Sequence, residues 1–172
     1  MKDDFAAATA RLGEEPRIVA ILNEVCRVTG MGFAAVARVT EERWIAVQVD
    51  DRIEFGLKPG DELQIKTTIC DEIRDCGQAI FIDHVGADPE WRTHPVPTLY
   101  GFESYASIPL FLADGSFFGT LCAIDPEPRK LRAADTIATL QDYAHEVAAI
   151  LSGQLLEEDA MPPLAAPSAN LL

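Results

Sequence analysis

Residues 102–129 read FESYASIPLFLADGSFFGTLCAIDPEPR, and the pattern of this stretch decides the fold. Two β-prone apolar runs, residues 104–112 and 116–124, flank Ala113, Asp114 and Gly115. An Asp-Gly turn between such runs is a strong short-range hairpin signal. Pro126 and Pro128 close the second run, because proline has no N–H to give to a ladder. The spacing predicts an antiparallel hairpin.

The segments before the hairpin alternate between helix and strand. Residues 3–12 are alanine-rich and helix-prone, ending near Gly13. After Pro16, Ile18, Ile21, Leu22, Val25 and Cys26 recur on one helical face as far as Gly30. Residues 33–40 and 43–49 read as a second hairpin joined at Glu41 and Glu42, with Trp44, Ala46 and Gln48 on one face and Ile45, Val47 and Val49 on the other. Residues 57–60 suit a tight turn, and residues 62–65 a short strand. Thr67 or Thr68 then suits the N-cap of a helix over 69–76, closed by Gly77, with Asp71 and Glu72 in its first turn. Residues 79–83 return as a strand. Residues 84–101, broken by three prolines and anchored by Trp91 and Tyr100, have the character of a lid or binding loop.

Beyond the hairpin lies a long helical pattern that starts at Arg132 and runs to Leu156. Ile137, Leu140, Ala144, Val147, Leu151 and Leu155 form one stripe, which suits either a paired helix in a homodimer or a helix lying on a sheet. Segregated antiparallel strands with terminal helices predict an α+β fold around a central antiparallel sheet. The expected organisation is an N-terminal helical extension over 1–15, one domain over 16–156, and a Pro/Ala-rich linker or tail over 157–172.

Composition narrows the function classes. The net charge of −14 disfavours nucleic acid and anionic membranes as partners. No apolar run approaches the roughly 20 residues that span a bilayer, and the charged N-terminus lacks a signal-peptide core. The expectation is a cytoplasmic protein or a piece of a larger one. Cys26, Cys70, Cys76 and Cys122 have no zinc spacing, and Cys26 and Cys122 fit as small core residues. There is no P-loop, no G-x-G-x-x-G and no G-x-S-x-G elbow, and Ser104, Ser107 and Ser116 fall in strand runs.

Residues 67–92, TTICDEIRDCGQAIFIDHVGADPEWR, and residues 100–131, YGFESYASIPLFLADGSFFGTLCAIDPEPRKL, resemble a GAF domain. The strongest element is the strand pattern of residues 104–129, SYASIPLFLADGSFFGTLCAIDPEPR, which includes G-x-L-C-x-I-D, here Gly119, Leu121, Cys122, Ile124 and Asp125. Residues 25–49 are similar to the start of GAF input domains of bacterial sensor histidine kinases, although no phosphoacceptor or ATP-binding segment is present. The resemblance implies a small-molecule-sensing input module of a two-component signalling protein, not itself an enzyme. It places a helix/loop pocket on the sheet face opposite the terminal helices. Transferred to this chain, the pocket draws on Trp44, Cys70, Ile73, His84, Trp91, Tyr105 and Ser107.

The family also implies two sharper alternatives. Phytochrome-like members attach a bilin tetrapyrrole to a cysteine often followed by histidine; here Asp71 follows Cys70, which disfavours that cofactor, though His84 could donate to one. Free methionine sulfoxide reductases use a nucleophilic and a resolving cysteine. Cys70 near a helix start suits the first role, but residues 98–107, TLYGFESYAS, lack the family's loop cysteine. His84 and His94 with Asp83, Asp88 and Glu90 gather metal-binding residue types in one loop, yet without an HxxxH spacing, so no metal is expected. His145 falls on the final helix as a surface or interface residue.

Overall fold

The computed structural model describes residues 3–160. Two helices open the chain, α1 (Asp4–Leu12) and α2 (Pro16–Thr29). Asp3 caps α1 by accepting from the Ala6 N–H at 2.9 Å, and Pro16 starts α2 where its missing N–H costs nothing. Then follow β1 (Phe33–Val39), β2 (Trp44–Asp51), β3 (Glu62–Leu63), α3 (Cys70–Cys76) and β4 (Ile80–Ile82). The chain closes with α4 (Pro95–Tyr100), β5 (Ser104–Phe111), β6 (Phe117–Asp125) and α5 (Ala134–Ala160). The predicted Pro/Ala-rich tail lies, from residue 161 on, outside the described residues.

The six strands form one antiparallel sheet in the order β3-β2-β1-β6-β5-β4. Both edge strands are short, which limits unwanted pairing. The hairpin of residues 102–129 is β5 and β6, and Ser116 sits in its turn rather than in a strand, bonded to Asp114. The protein is therefore α+β, with α1, α2 and α5 on one face of the sheet and α3, α4 and their loops on the other.

Each face has its own core. Ile18, Leu22 and Val25 of α2 meet Val36, Leu121 and Ala123 of the sheet. Leu140, Ala144, Val147 and Leu151 of α5 are buried in that same core, each large side chain contributing about 1.5–3 kcal/mol by leaving water. The apolar stripe that suited a paired helix is thus spent on the protein's own sheet, the second of the two readings. A stripe facing a sheet and a stripe facing a partner helix have the same period, so spacing could not separate them.

Two local expectations are corrected. Thr67 and Thr68 do not cap α3; their hydroxyls donate to the Gln64 and Ile65 carbonyls of a preceding 3-10 turn, and α3 starts from Ile69 without a side-chain cap. Strict alternation also fails in β2. The β1–β2 register slips between Val36 and Ala37, leaving Val47 without an opposite residue. The bulge sends Gln48 to the helix side, where its amide donates to the Gly13 carbonyl at 2.8 Å, while Val49 packs on the other face with Trp44.

Candidate functional site: a small cavity between the sheet and α3

The face opposite the terminal helices carries a cluster of polar side chains in an apolar setting. Period-2 alternation sends Tyr105 and Ser107 of β5, and Thr120 and Cys122 of β6, toward α3. Trp44, the first residue of β2, reaches the same place from across the sheet. Cys70, the first residue of α3, lies above them. Its Sγ is 3.2 Å from Thr120 Oγ1, 3.6 Å from Tyr105 OH and 4.0 Å from Ser107 Oγ. All of these groups are buried.

The two thiols at this spot behave differently. Cys70 is pulled below the ordinary thiol range by hydrogen bonding from Cys122, then from Thr120, Trp44 and Tyr105, which together outweigh its burial. Cys122 is raised well above that range, by its contact with Cys70 and by burial. The acidity of Cys70 comes from these side-chain donors rather than from a helix dipole. Burial, with a Cys70 charge nearby, likewise raises Tyr105 far above the usual phenol value.

Beside this cluster is a cavity of about 50 Å³. A buried water needs roughly 10–15 Å³ of such space, so the cavity takes a few waters or one end of a small molecule. Its wall is aromatic: Phe33, Phe55, Tyr100, Phe102, Trp44 and Tyr105. No Lys, Arg, His, Asp or Glu lines it among the described residues. The indole N–H of Trp44 is buried and has no hydrogen-bond partner of ordinary geometry.

Phe55 and Tyr100 stand between this cavity and an outer groove of about 510 Å³. Their rings are 5.9 Å apart, and Phe55 also rests on Phe33 at 4.9 Å. Each gate residue is held in place. Asp51 accepts from the N–H groups of Ile53, Phe55 and Gly56, folding the loop that carries Phe55. Thr67 Oγ1 gives its proton to Gln64, so Tyr100 OH donates to Thr67 at 2.6 Å.

Of the residues predicted from sequence, the structure brings Trp44, Cys70 and Tyr105 to the cavity. Ile73 and Ser107 are buried behind them. His84 and Trp91 stand away from its lining. His84 is half-exposed beside Glu103, with 3.4 Å between ring nitrogen and carboxylate, and Trp91 packs on His94, which meets Glu72 at 3.1 Å. The His94–Glu72 contact fastens the loop to α3, and the His84–Glu103 contact ties it to the start of β5. Among the described residues no group of three or more His, Cys, Asp or Glu is placed to hold a metal ion. Cys122, read as a small core residue, is buried in the core of this face and also lines the cavity next to Cys70. Its location was legible in the hairpin register, which pairs Ser107 with Cys122. Phe55 gave no such signal, because it comes from an irregular loop.

The sequence profile of the GAF domain matches residues 15–151. The chain belongs to the GAF family. Solved structures agree on the fold. The GAF domain of a two-component sensor histidine kinase from Bacillus halodurans is 14% identical with a TM-score of 0.65, covering 84% of this chain and 97% of its own. The PixJ GAF domain of Thermosynechococcus elongatus, in its blue-light absorbing form, is 10% identical with a TM-score of 0.65 and coverage of 89% and 90%. A type II free methionine-R-sulfoxide reductase from Thermoplasma acidophilum is 12% identical with a TM-score of 0.61 and coverage of 83% and 96%. At these identities the likeness shows the fold alone. No curated protein matches the chain in sequence. In this GAF domain no helix among the described residues is long and apolar enough to cross a membrane.

Proposed function

We propose that this GAF domain is a non-enzymatic sensing module that binds a small molecule in the cavity beside α3 and reports occupancy through α5. The observation that carries the reading is the cavity itself: an aromatic wall free of Lys, Arg, His, Asp and Glu, with one buried donor, Trp44 Nε1, that has no hydrogen bond of ordinary geometry. Pockets for small ligands have this mix of apolar wall and few placed polar groups. The natural setting for such a module is the cytoplasmic input end of a bacterial two-component protein.

A mechanical route from cavity to output helix runs along the other edge of the sheet. The segment after β4 leads through the loop to α4 and Tyr100. That segment is tied to the start of α5: Asp83 accepts from the Leu131 N–H at 3.0 Å, and Arg132 donates to the Phe81 carbonyl at 2.8 Å and meets Asp88 at 3.5 Å. A shift of α4 on ligand entry pulls on these contacts and re-seats the first turn of α5. The ligand does this only through different affinities for the two arrangements. Pairing of α5 in a homodimer uses its outer face and C-terminal part, where Leu156 is exposed, because its stripe is already buried.

The cavity does not suit a bilin. It is too small for a tetrapyrrole, no cation lines it to meet propionates, and His84 stands outside it. A thiol-reductase reading is favoured by the juxtaposition of Cys70 and Cys122. Against it, free methionine sulfoxide carries an ammonium and a carboxylate, and the lining holds no Asp or Glu for the first and no Lys, Arg or His for the second. Turnover of free methionine sulfoxide that vanishes in Cys70→Ser would establish the reductase; the proposal expects no turnover. Native mass spectrometry of the purified chain tests the sensing reading. It expects a retained small molecule, released on denaturation, and the bare polypeptide mass even after incubation with deproteinised cell extract would refute it.

A further inference from the structure

We infer that the ligand of this cavity is a neutral, flat molecule with a hydrogen-bond acceptor at one end, its acceptor on Trp44 Nε1 and its apolar body between Phe55 and Tyr100. The inference rests on the sensing reading and names the chemical class that reading leaves open. Its starting point is the Trp44 indole, a donor with no acceptor capacity of its own, 2% exposed and without a hydrogen bond of ordinary geometry. A buried donor is costly to leave unmade, so its persistence calls for an acceptor from outside the chain. Cys70 Sγ, toward which the indole leans, does not satisfy it: sulfur is a weak acceptor and is already shared by the Thr120 and Tyr105 hydroxyls.

Charge fixes the second property. No Lys, Arg or His lines the inner cavity, so a carboxylate or phosphate there would be buried without a partner. The outer groove carries Glu54, and the chain as a whole has a charge of −14, which repels anions on approach. A cation finds no carboxylate in the inner lining either, and the Cys70 sulfur there is already engaged by the Thr120 and Tyr105 hydroxyls. The occupant is therefore neutral.

Shape follows from the two chambers. The inner one, about 50 Å³, takes an acceptor and the few atoms around it. It shares Phe55, Leu57, Tyr100 and Phe102 with the outer groove, so a longer molecule continues outward past the Phe55–Tyr100 pair. Ring faces on either side of that passage favour a planar body, by offset or edge-to-face packing. Entry then spreads Phe55 from Tyr100 and loads α4 directly.

Three probes of one size separate these properties: acetophenone (neutral with an acceptor), ethylbenzene (neutral without one) and benzoate (charged). The chain has two tryptophans, so its indole N–H region holds two signals, with Trp91 as an internal control. In titrations of the full chain followed by proton–nitrogen correlation spectra, acetophenone is expected to move the Trp44 indole signal downfield and saturably, leaving Trp91 in place. Ethylbenzene is expected to bind about tenfold more weakly, the worth of one hydrogen bond, and benzoate not at all. Trp44→Phe is expected to lower acetophenone to the affinity of ethylbenzene and leave ethylbenzene unchanged. Benzoate binding as well as acetophenone, equal affinities for acetophenone and ethylbenzene, or a still Trp44 signal each overturns the inference. If Trp44→Phe does not fold, the three probes on the native chain decide alone. Should no probe bind while native mass spectrometry shows a retained molecule, the chemical class is wrong and sensing stands. Should both be negative, sensing itself falls.

Discussion

Gly119, the residue that opens the G-x-L-C-x-I-D run, offers a sharp test of why the run has that form. A Cβ built on it would lie 1.8 Å from the Ala37 carbonyl oxygen and 3.0 Å from the Val39 nitrogen, both backbone atoms of β1. Ordinary contact begins near 3.4 Å, so Gly119→Ala is short by about 1.6 Å. Neither neighbour is a flexible side chain that can turn aside. Relief requires β1 and β6 to part at the centre of the sheet, where Arg38 is the residue opposite Gly119. Losing two or three ladder hydrogen bonds and the packing around them costs about 3 kcal/mol or more. With a urea slope of about 2 kcal/mol per molar, the unfolding midpoint falls by about 1.5 M. Gly115→Ala is the control. It has a φ of +87° and open space around it, so it carries only the left-handed backbone cost of about 1 kcal/mol, or roughly 0.5 M. The reasoning is refuted if the two substitutions shift the midpoint equally, or if Gly115→Ala is the more damaging.

Two further outcomes bear on the cavity. Thr120→Val removes the hydroxyl 3.2 Å from Cys70 Sγ at nearly constant volume; the Cys70 thiol should then titrate at higher pH, followed by the ultraviolet absorbance of the thiolate, and an unmoved titration would show that Thr120 does not hold it down. Asp51 is pushed up by burial, but the N–H groups of Gly56, Phe55 and Ile53 outweigh this and bring its carboxyl below the ordinary range. Its contribution is therefore full at neutral pH and is lost as pH falls through that lowered value. The Gly56 amide signal should titrate in step and cease to do so in Asp51→Asn. Titration of Gly56 at or above the usual carboxylate value of about 4 would contradict the role given to Asp51.

The scaffold was more legible in the sequence than the site. The hairpin, the bounds of α1 and α2, and the Gly77 stop of α3 follow from local rules, because turn chemistry and capping act within a few residues. The face of Trp44 was also legible, since alternation holds at the start of β2. It fails at Gln48 because a bulge adds a residue, which no periodicity announces. Within the site, Cys70 and Tyr105 lie on regular elements and could be placed in advance. Phe55 sits in an irregular loop set by Asp51, and Tyr100 comes from a short helix among prolines. The gate is thus a tertiary product with no pattern of its own. His84 and Trp91 resembled site residues by composition, yet their partners are Glu103 and His94, and they hold the loop rather than line the cavity.

Sensing by this domain requires one linkage: filling the cavity must be felt at the start of α5. Hydrogen–deuterium exchange of the full chain with and without saturating acetophenone tests it most directly, read at residues 52–76, 95–102 and 129–140. The prediction is slower exchange in the first two segments and a changed rate in the third, the last change abolished by Arg132→Ala while acetophenone affinity is kept. Bound acetophenone that protects the cavity walls and leaves residues 129–140 unaltered would contradict it.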